Sequence, residues 1–379
     1  MTDPARSGPL PPIPLTVLTG FLGAGKTTLL NALLRDPALA DTVVIINEFG
    51  EIGVDHLLVE TADEDMVLLS AGCLCCTVRG DLIATLEDLL RRRDNGRIGA
   101  FRRVIIETTG LADPAPILHA ILYHPYLSMR YALEGVVTVV DAVNGSATLD
   151  AHEEAVRQAA VADRIVLTKT DLPDAAASDL RDRLRALNPG AAVIEAVAGE
   201  APAAHVVGNG LFDLDGKIAD VRQWLGAEAI DEAERHSHAH AHGDHASGHR
   251  HAHDVNRHDA HIRAFSLTSD VPVRRGTLDM FLDLLRATNG PKLLRVKGLV
   301  ALAEDPDRPV VIHGVQHVLH VPAVLPGWPD PDRRSRLVFI VRDLDRSYVE
   351  RLWNAFLGRP GIDQPDAAAL TDNPLALGR

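Results

Sequence analysis

Gly20-Phe-Leu-Gly23-Ala24-Gly25-Lys26-Thr27-Thr28 spaces its glycines and its lysine as G-x-x-x-x-G-K-T. Glycines at such positions let successive backbone N–H groups turn inward around phosphate oxygens, and a helix N-terminus just beyond adds positive potential. Lys26 is then placed to meet the β and γ phosphates of a nucleotide, and the Thr27 hydroxyl to offer an oxygen to Mg2+. A tight glycine turn with a chance lysine is the plain alternative. It would not need the strand before and the helix after that the flanking residues predict.

Two further segments fit the same chemistry. Val104-Ile-Ile-Glu107-Thr-Thr-Gly110 is an apolar run ending in an acid. A carboxylate there faces a phosphate loop and can hold Mg2+ or orient the attacking water, and Gly110 can offer its N–H to the γ phosphate; the alternative is an acid that caps the next turn. Asp141, at the end of another apolar run, reads as structural. Thr168-Lys169-Thr170-Asp171 resembles the N-K-x-D pattern that reads guanine. An aspartate at that place accepts from the guanine N1–H and exocyclic amine, and a buried carboxylate left unpaired rejects adenine. The stem of Lys169 would lie over the ring. Thr168 stands where asparagine is usual, so one polar contact is expected to be weakened or lost.

All the thiols of the chain fall in Gly72-Cys73-Leu-Cys75-Cys76. Three thiolates within four residues outline a soft-metal site, with zinc the best fit and cobalt next. A four-coordinate ion needs another ligand. Glu48 in Asn47-Glu-Phe-Gly-Glu-Ile-Gly-Val-Asp55 is one candidate, His119 and His124 are others. Buried small thiols are the plain alternative, and a redox pair is weaker, for lack of C-x-x-C and because a Cys75–Cys76 disulfide would be strained. A separate tract, residues 236–261, holds ten histidines among Ala, Gly, Asp and Arg. Its His236, His238, His240 and His242 alternate, which suits a loose metal-collecting tether rather than a rigid cage. His313, His317 and His320 are expected to pack or face solvent.

These groups must be carried by elements that bring them to one place. Short β-branched runs at Leu15–Leu18, Val43–Ile46, Met66–Leu69, Val104–Ile106, Val136–Val140, Arg164–Leu167 and Val193–Glu195 predict buried parallel strands. Helical stretches at Thr27–Leu34, Leu82–Arg92 and Leu180–Leu187 fall between some of them, which predicts an α/β layered domain. The thiol segment, which follows Met66–Leu69, then lies on a loop at the same sheet edge as the phosphate loop. Beyond the tract, strands are expected at Ile262–Thr268, Leu293–Ala303, Val310–Leu319 and Arg336–Val341, with helices at Arg275–Thr288 and Arg346–Phe356: a smaller α+β domain. The division expected is a disordered N-terminus over 1–12, a nucleotide domain over 13–226, a His-rich linker over 227–261, the second domain over 262–358 and a tail over 359–379.

The 379 residues suffice for two sizeable cores. Thirty-eight Lys and Arg against 52 Asp and Glu leave a formal charge of −14, which argues against a nucleic-acid-binding surface. No apolar stretch reads as a membrane span or a signal peptide, and clustered free thiols suit a reducing, cytoplasmic setting.

Taken together, G-F-L-G-A-G-K-T-T-L-L at 20–30, N-E-F-G-E at 47–51, G-C-L-C-C at 72–76, E-T-T-G-L-A-D-P at 107–114, T-K-T-D at 168–171 and K-G-L-V-A-L-A at 297–303 resemble the CobW-type P-loop GTPases. The resemblance covers most of residues 13–358. It implies a P-loop NTPase domain with a mainly parallel sheet and a smaller α+β C-terminal domain, similar in fold to nickel-inserting GTPases. It also implies GTP hydrolysis with Mg2+, coupled to delivery of a transition metal, Zn2+ or Co2+, to a client metalloprotein. Cys73, Cys75 and Cys76 are the implied metal ligands. The expected catalytic groups are Lys26, Glu107 and Glu48, and a nucleotide-dependent homo-oligomer is left open. A metal-storage or sensing protein with little turnover is the alternative, and a small-molecule kinase a more distant one.

Overall fold

The computed structural model describes residues 11–49, 66–71, 75–173, 175–207 and 261–359. The chain runs β1 (Ile13–Gly20), α1 (Lys26–Leu34), β2 (Thr42–Phe49), β3 (Met66–Ala71), α2 (Cys75–Asp94), β4 (Arg103–Thr108), α3 (Ala115–Tyr123), α4 (Pro125–Arg130), β5 (Tyr131–Asp141), α5 (Gly145–Ala151), α6 (Glu153–Val161), β6 (Arg164–Thr168), α7 (Ala177–Leu187) and β7 (Ala192–Glu195). The seven strands form one sheet in the order β3-β2-β4-β1-β5-β6-β7. Every adjacent pair in it is parallel.

Period-two side-chain alternation decides what covers each face. Leu15 and Val17 of β1 join Val43, Ile45, Val104 and Ile106 against Leu82, Leu86 and Leu90 of α2 and Leu118 and Ile121 of α3. Leu18, with Val44, Ile46, Ile105 and Val139, packs on the opposite face against Leu29, Leu30 and Leu33 of α1. Both faces are covered, so the strands read as nearly unbroken apolar runs. All seven expected strands appear. The helix expected at Leu82–Arg92 begins earlier, at Cys75.

The second unit is a sheet of β8 (Ile262–Ser269), β9 (Leu293–Val300), β10 (Val310–Val315), β11 (Val318–Leu319), β12 (Ala323–Val324) and β13 (Ser335–Arg342). Its order is β11-β10-β9-β13-β8, with β12 also on β10, and the pairs are antiparallel. The helices Arg275–Asn289 and Arg346–Phe356 cover one face, where Phe281 meets the Trp353 ring edge-on at 4.9 Å. The single strand expected over Val310–Leu319 is two strands joined at Gln316 and His317, because Gln316 adopts φ 52° and reverses the chain.

The other face turns charged residues toward the first sheet. Asp163, directly before β6, is buried and meets Arg295, with Lys297 Nζ at 3.1 Å and His313 Nε2 at 3.7 Å. Burial raises the Asp163 carboxyl, but Arg295 and Lys297 outweigh it and hold the group well below the usual carboxylate range. Burial pushes His313 well down, so its ring is neutral, and it stacks on His320 at 4.5 Å. Hence His313 and His320 pack at the join of the two sheets. His317 lies 5.2 Å from His119 across the same join.

Among the described residues no helix is long and apolar enough to cross a membrane.

Candidate functional site

Strand β1 lies at the centre of the first sheet, and the loop leaving its C-terminal end is the glycine-rich segment. Gly20, Gly23 and Gly25 all take positive φ, at 142°, 72° and 94°. At Gly20 a Cβ would also stand 2.3 Å from the Val139 carbonyl oxygen, so side chains are excluded twice over. Gly25 then caps α1, whose first residues are Lys26, Thr27 and Thr28. The Lys26 ammonium folds over the loop and donates to the Gly20 and Phe21 carbonyls at 2.9 and 3.2 Å.

Strand β4 runs beside β1, with Leu18 opposite Glu107. The two strand ends are tied by Thr108 Oγ1 donating to Thr19 Oγ1 at 2.8 Å. Glu107 is buried, and its Oε1 accepts from the Thr27 hydroxyl at 3.1 Å. This pair of hard oxygens beside the start of a helix fits a Mg2+ ion. Gly110 presses on the phosphate loop: a Cβ there would stand 2.6 Å from the Leu22 nitrogen.

Strand β6 delivers the T-K-T-D segment. Thr168 Oγ1 donates to the Ala24 carbonyl at 2.6 Å. The threonine hydroxyl thus ties the end of β6 to the phosphate loop. Lys169, at φ 58°, donates to the Gly23 carbonyl at 2.9 Å and to Asp141 Oδ2 at 2.6 Å. Asp141 also accepts from the Val143 and Asn144 amides and from the Asn144 side chain. Burial raises its carboxyl, and these bonds, Lys169 foremost, more than offset that and leave it below the usual range. Its role is to hold Lys169 and the turn after β5.

One part of the site was missed from sequence. After β7 the run Ala196-Val197-Ala198-Gly199-Glu200 curls back, and the Ala198 amide donates to Asp171 Oδ1 at 3.3 Å. A Cβ on Gly199, at φ 81°, would stand 2.8 Å from Thr28 Cγ2. Small residues let this loop seat on the start of α1 beside Asp171. Their run directly after a strand was the available signal.

At the far edge of the sheet, β2 and β3 pair with Glu48 opposite Ser70 and Phe49 opposite Ala71. Strand β3 ends there, and Cys75 and Cys76 open α2. Backbone topology thus brings Glu48 and the Cys75–Cys76 start of α2 to one corner. Cys73 and residues 50–55 lie outside the described residues, as do residues 1–10, the tract up to 260 and the tail from 360. Of the tract, His261 is described, and its Nδ1 lies 2.6 Å from Asp343 Oδ1. Among the described residues no three His, Cys, Asp or Glu side chains form a metal cluster. Of the other candidate ligands, His124 Nδ1 accepts from the Leu127 amide at 3.4 Å and His119 stacks on Tyr123.

Residues 14–195 match the family model "CobW/HypB/UreG, nucleotide-binding domain", and residues 262–357 match "Cobalamin synthesis protein cobW C-terminal domain". The zinc chaperone YjiA of Escherichia coli is 32% identical over 329 residues, covering 87% of this chain and 94% of that protein. The zinc-regulated GTPase metalloprotein activator 1 of Schizosaccharomyces pombe is 37% identical over 198 residues, 50% of this chain and 47% of that one. The crystal structure of Zn(II)-bound YjiA GTPase from E. coli superposes with a TM-score of 0.65 at 28% identity, covering 92% of this chain and 99% of that one. The two family matches, which follow one another along the chain as its two sheets do, and the relative that spans most of it place the chain in the CobW family of nucleotide-binding proteins.

Proposed function

We propose that the protein is a GTP-hydrolysing metallochaperone that carries zinc, with cobalt as the next candidate, to a client metalloprotein. The observation that carries the nucleotide half is the bond from Thr168 to the Ala24 carbonyl, which locks the base-reading segment to the phosphate loop. Asp171 would accept from guanine, with the Lys169 stem over the ring. The backbone amides of Gly23, Ala24 and Gly25 would surround the phosphates, and Lys26 would turn from the loop carbonyls to the β and γ oxygens. Thr27 and Glu107 would hold Mg2+, which supplies charge neutralisation on those oxygens. Gly110 would donate its N–H to the γ phosphate. Glu48 or Glu107 would orient the attacking water.

For the metal half, Cys73, Cys75 and Cys76 are the proposed ligands, with Glu48 as a candidate fourth. Support comes from the shared corner of β2 and β3 and from the zinc-named relatives. Cys75 and Cys76 are the first two residues of α2. A γ phosphate that draws the loop after β2 inward would shift Glu48 and so alter metal affinity, a coupling that must be reciprocal. A nucleotide-dependent pairing of two copies belongs to the same proposal.

Turnover of GTP and ATP, measured with and without metal, tests this reading. GTP is expected to be hydrolysed in strong preference. Cobalt-loaded protein with a non-hydrolysable GTP analogue is expected to show a sulfur-to-metal charge-transfer band that triple Cys→Ser substitution removes. Equal use of ATP would sink the base assignment. Tight metal binding without turnover would point to storage or sensing.

A further inference from the structure

Four residues, Gly110 to Asp113, follow the acid strand and touch the phosphate loop, and each end of this stretch is held by a glutamine. Gln158 of α6 is buried, and its Nε2 donates to the Gly110 and Ala112 carbonyls at 3.1 and 3.0 Å. At the other end Asp113 Oδ1 accepts from the Ala115 amide at 2.9 Å. Its Oδ2 accepts from Gln316 Nε2, in the turn between β10 and β11, at 2.8 Å.

Both holds lead to Leu294 of the second domain. The helix bearing Gln158 ends at Val161, whose carbonyl accepts from Arg295, and Ala160 packs on Leu294 and Ile340. The Gln316 amide donates to the Leu294 carbonyl at 3.1 Å. Gln316 moreover sits at φ 52°, where glycine would be cheaper. A side chain kept at such a position has something to do beyond closing the turn.

We propose that the second domain sets the position of the Gly110–Asp113 loop through Gln158 and Gln316, which act as positioning residues for GTP hydrolysis. This rests on the reading of that loop as the one facing the γ phosphate. Docking of the β9–β10–β11 edge then holds the Gly110 N–H where the terminal phosphate needs it. By linkage, a nucleotide that moves Gly110 must change how firmly the two domains hold each other.

The test uses the full chain carrying Gln316→Gly or Gln158→Met. Amide exchange across residues 109–114 is measured without nucleotide, alongside GDP and GTP-analogue affinity, kcat and KM. Gln316→Gly relieves the left-handed backbone, so its melting temperature is expected to hold or rise. Exchange over 109–114 should nevertheless quicken about fivefold, the worth of one net hydrogen bond. Its kcat should fall by a similar factor with GDP affinity unchanged, and Gln158→Met should lose about tenfold or more, having two bonds to lose. If Gln158→Met does not fold, Gln316→Gly decides alone. Unchanged exchange in Gln316→Gly overturns the proposal even if the wild type turns out not to hydrolyse GTP. In a wild type that does hydrolyse it, faster exchange with undiminished kcat overturns it too, as does an equal loss of GDP and analogue binding.

Discussion

Thr168 ties two strand ends of the first sheet together. Its hydroxyl donates to the Ala24 carbonyl from β6, which joins the T-K-T-D segment to the phosphate loop. Thr168→Val keeps the branched shape and leaves that buried carbonyl unpaired, at a cost of about 1–3 kcal/mol. GTP and GDP share the base, so both should bind about tenfold more weakly, with KM raised and kcat kept; nucleotide titration beside steady-state rates checks this. Asp171→Asn reverses the donor–acceptor pattern at the base. It should turn the preference from guanosine to xanthosine nucleotides, measured by competition. Lys26→Ala should abolish turnover while leaving the melting temperature near that of the parent, because its ammonium donates to the Gly20 and Phe21 carbonyls and sits outside the apolar cores.

Loops and strands set the next constraint. Gly110 faces the Leu22 nitrogen so closely that a methyl group meets backbone, which cannot rotate away. Gly110→Ala should separate the acid-strand loop from the phosphate loop, lowering single-turnover hydrolysis at least about tenfold at a stability cost of about 1–3 kcal/mol. GDP titration should show little change, since the contact concerns the terminal phosphate. What could be read from sequence at this scale followed physical regularity. Strands buried on both faces carry continuous apolar runs, and G-x-x-x-x-G-K-T cannot do without its turn. Gln158 was invisible because a buried glutamine in an Ala- and Val-rich helix looks like any polar residue on an outer face. The turn at Gln316 was hidden too, for it contains neither glycine nor asparagine, the residues that ordinarily announce positive φ. Cys75 was read as loop because a helix start without a Ser, Thr, Asp or Asn cap gives no signal.

At the scale of the whole molecule the join between the sheets buries charged groups beside apolar contacts. Arg295 and Lys297 alternate with Leu294 and Val296 along β9, a pattern that suits one dry and one wet face. Only the placement of Asp163 opposite them reveals that both faces are covered. His313 makes the join sensitive to pH. It is neutral in the fold because burial lowers its pKa well below 6.5, with His320, Arg295 and Lys297 adding to that and Asp163 opposing it. The unfolded chain takes up that proton once pH falls below about 6.5, so stability drops as pH drops, by up to about 1.4 kcal/mol per unit. Asp163, depressed in the fold, loses its contribution only below the ordinary carboxylate range and so leaves this window alone. Urea unfolding at several pH values between 5 and 8 should therefore show a shallower slope for His313→Gln than for the parent.

Strand order assigns unequal neighbours to the two ends of the proposed reaction. The proposed base segment follows β6 and the phosphate loop follows β1, each strand flanked on both sides, whereas β3, which leads to the cysteines, is among the described residues an outermost strand paired to β2. Peeling β3 away breaks one ladder and leaves the sheet from β2 to β7 intact, so that corner can fray at far lower cost than global unfolding. A cargo ion bound there could be surrendered to a partner by local unzipping, while the nucleotide stays clasped in the middle of the sheet.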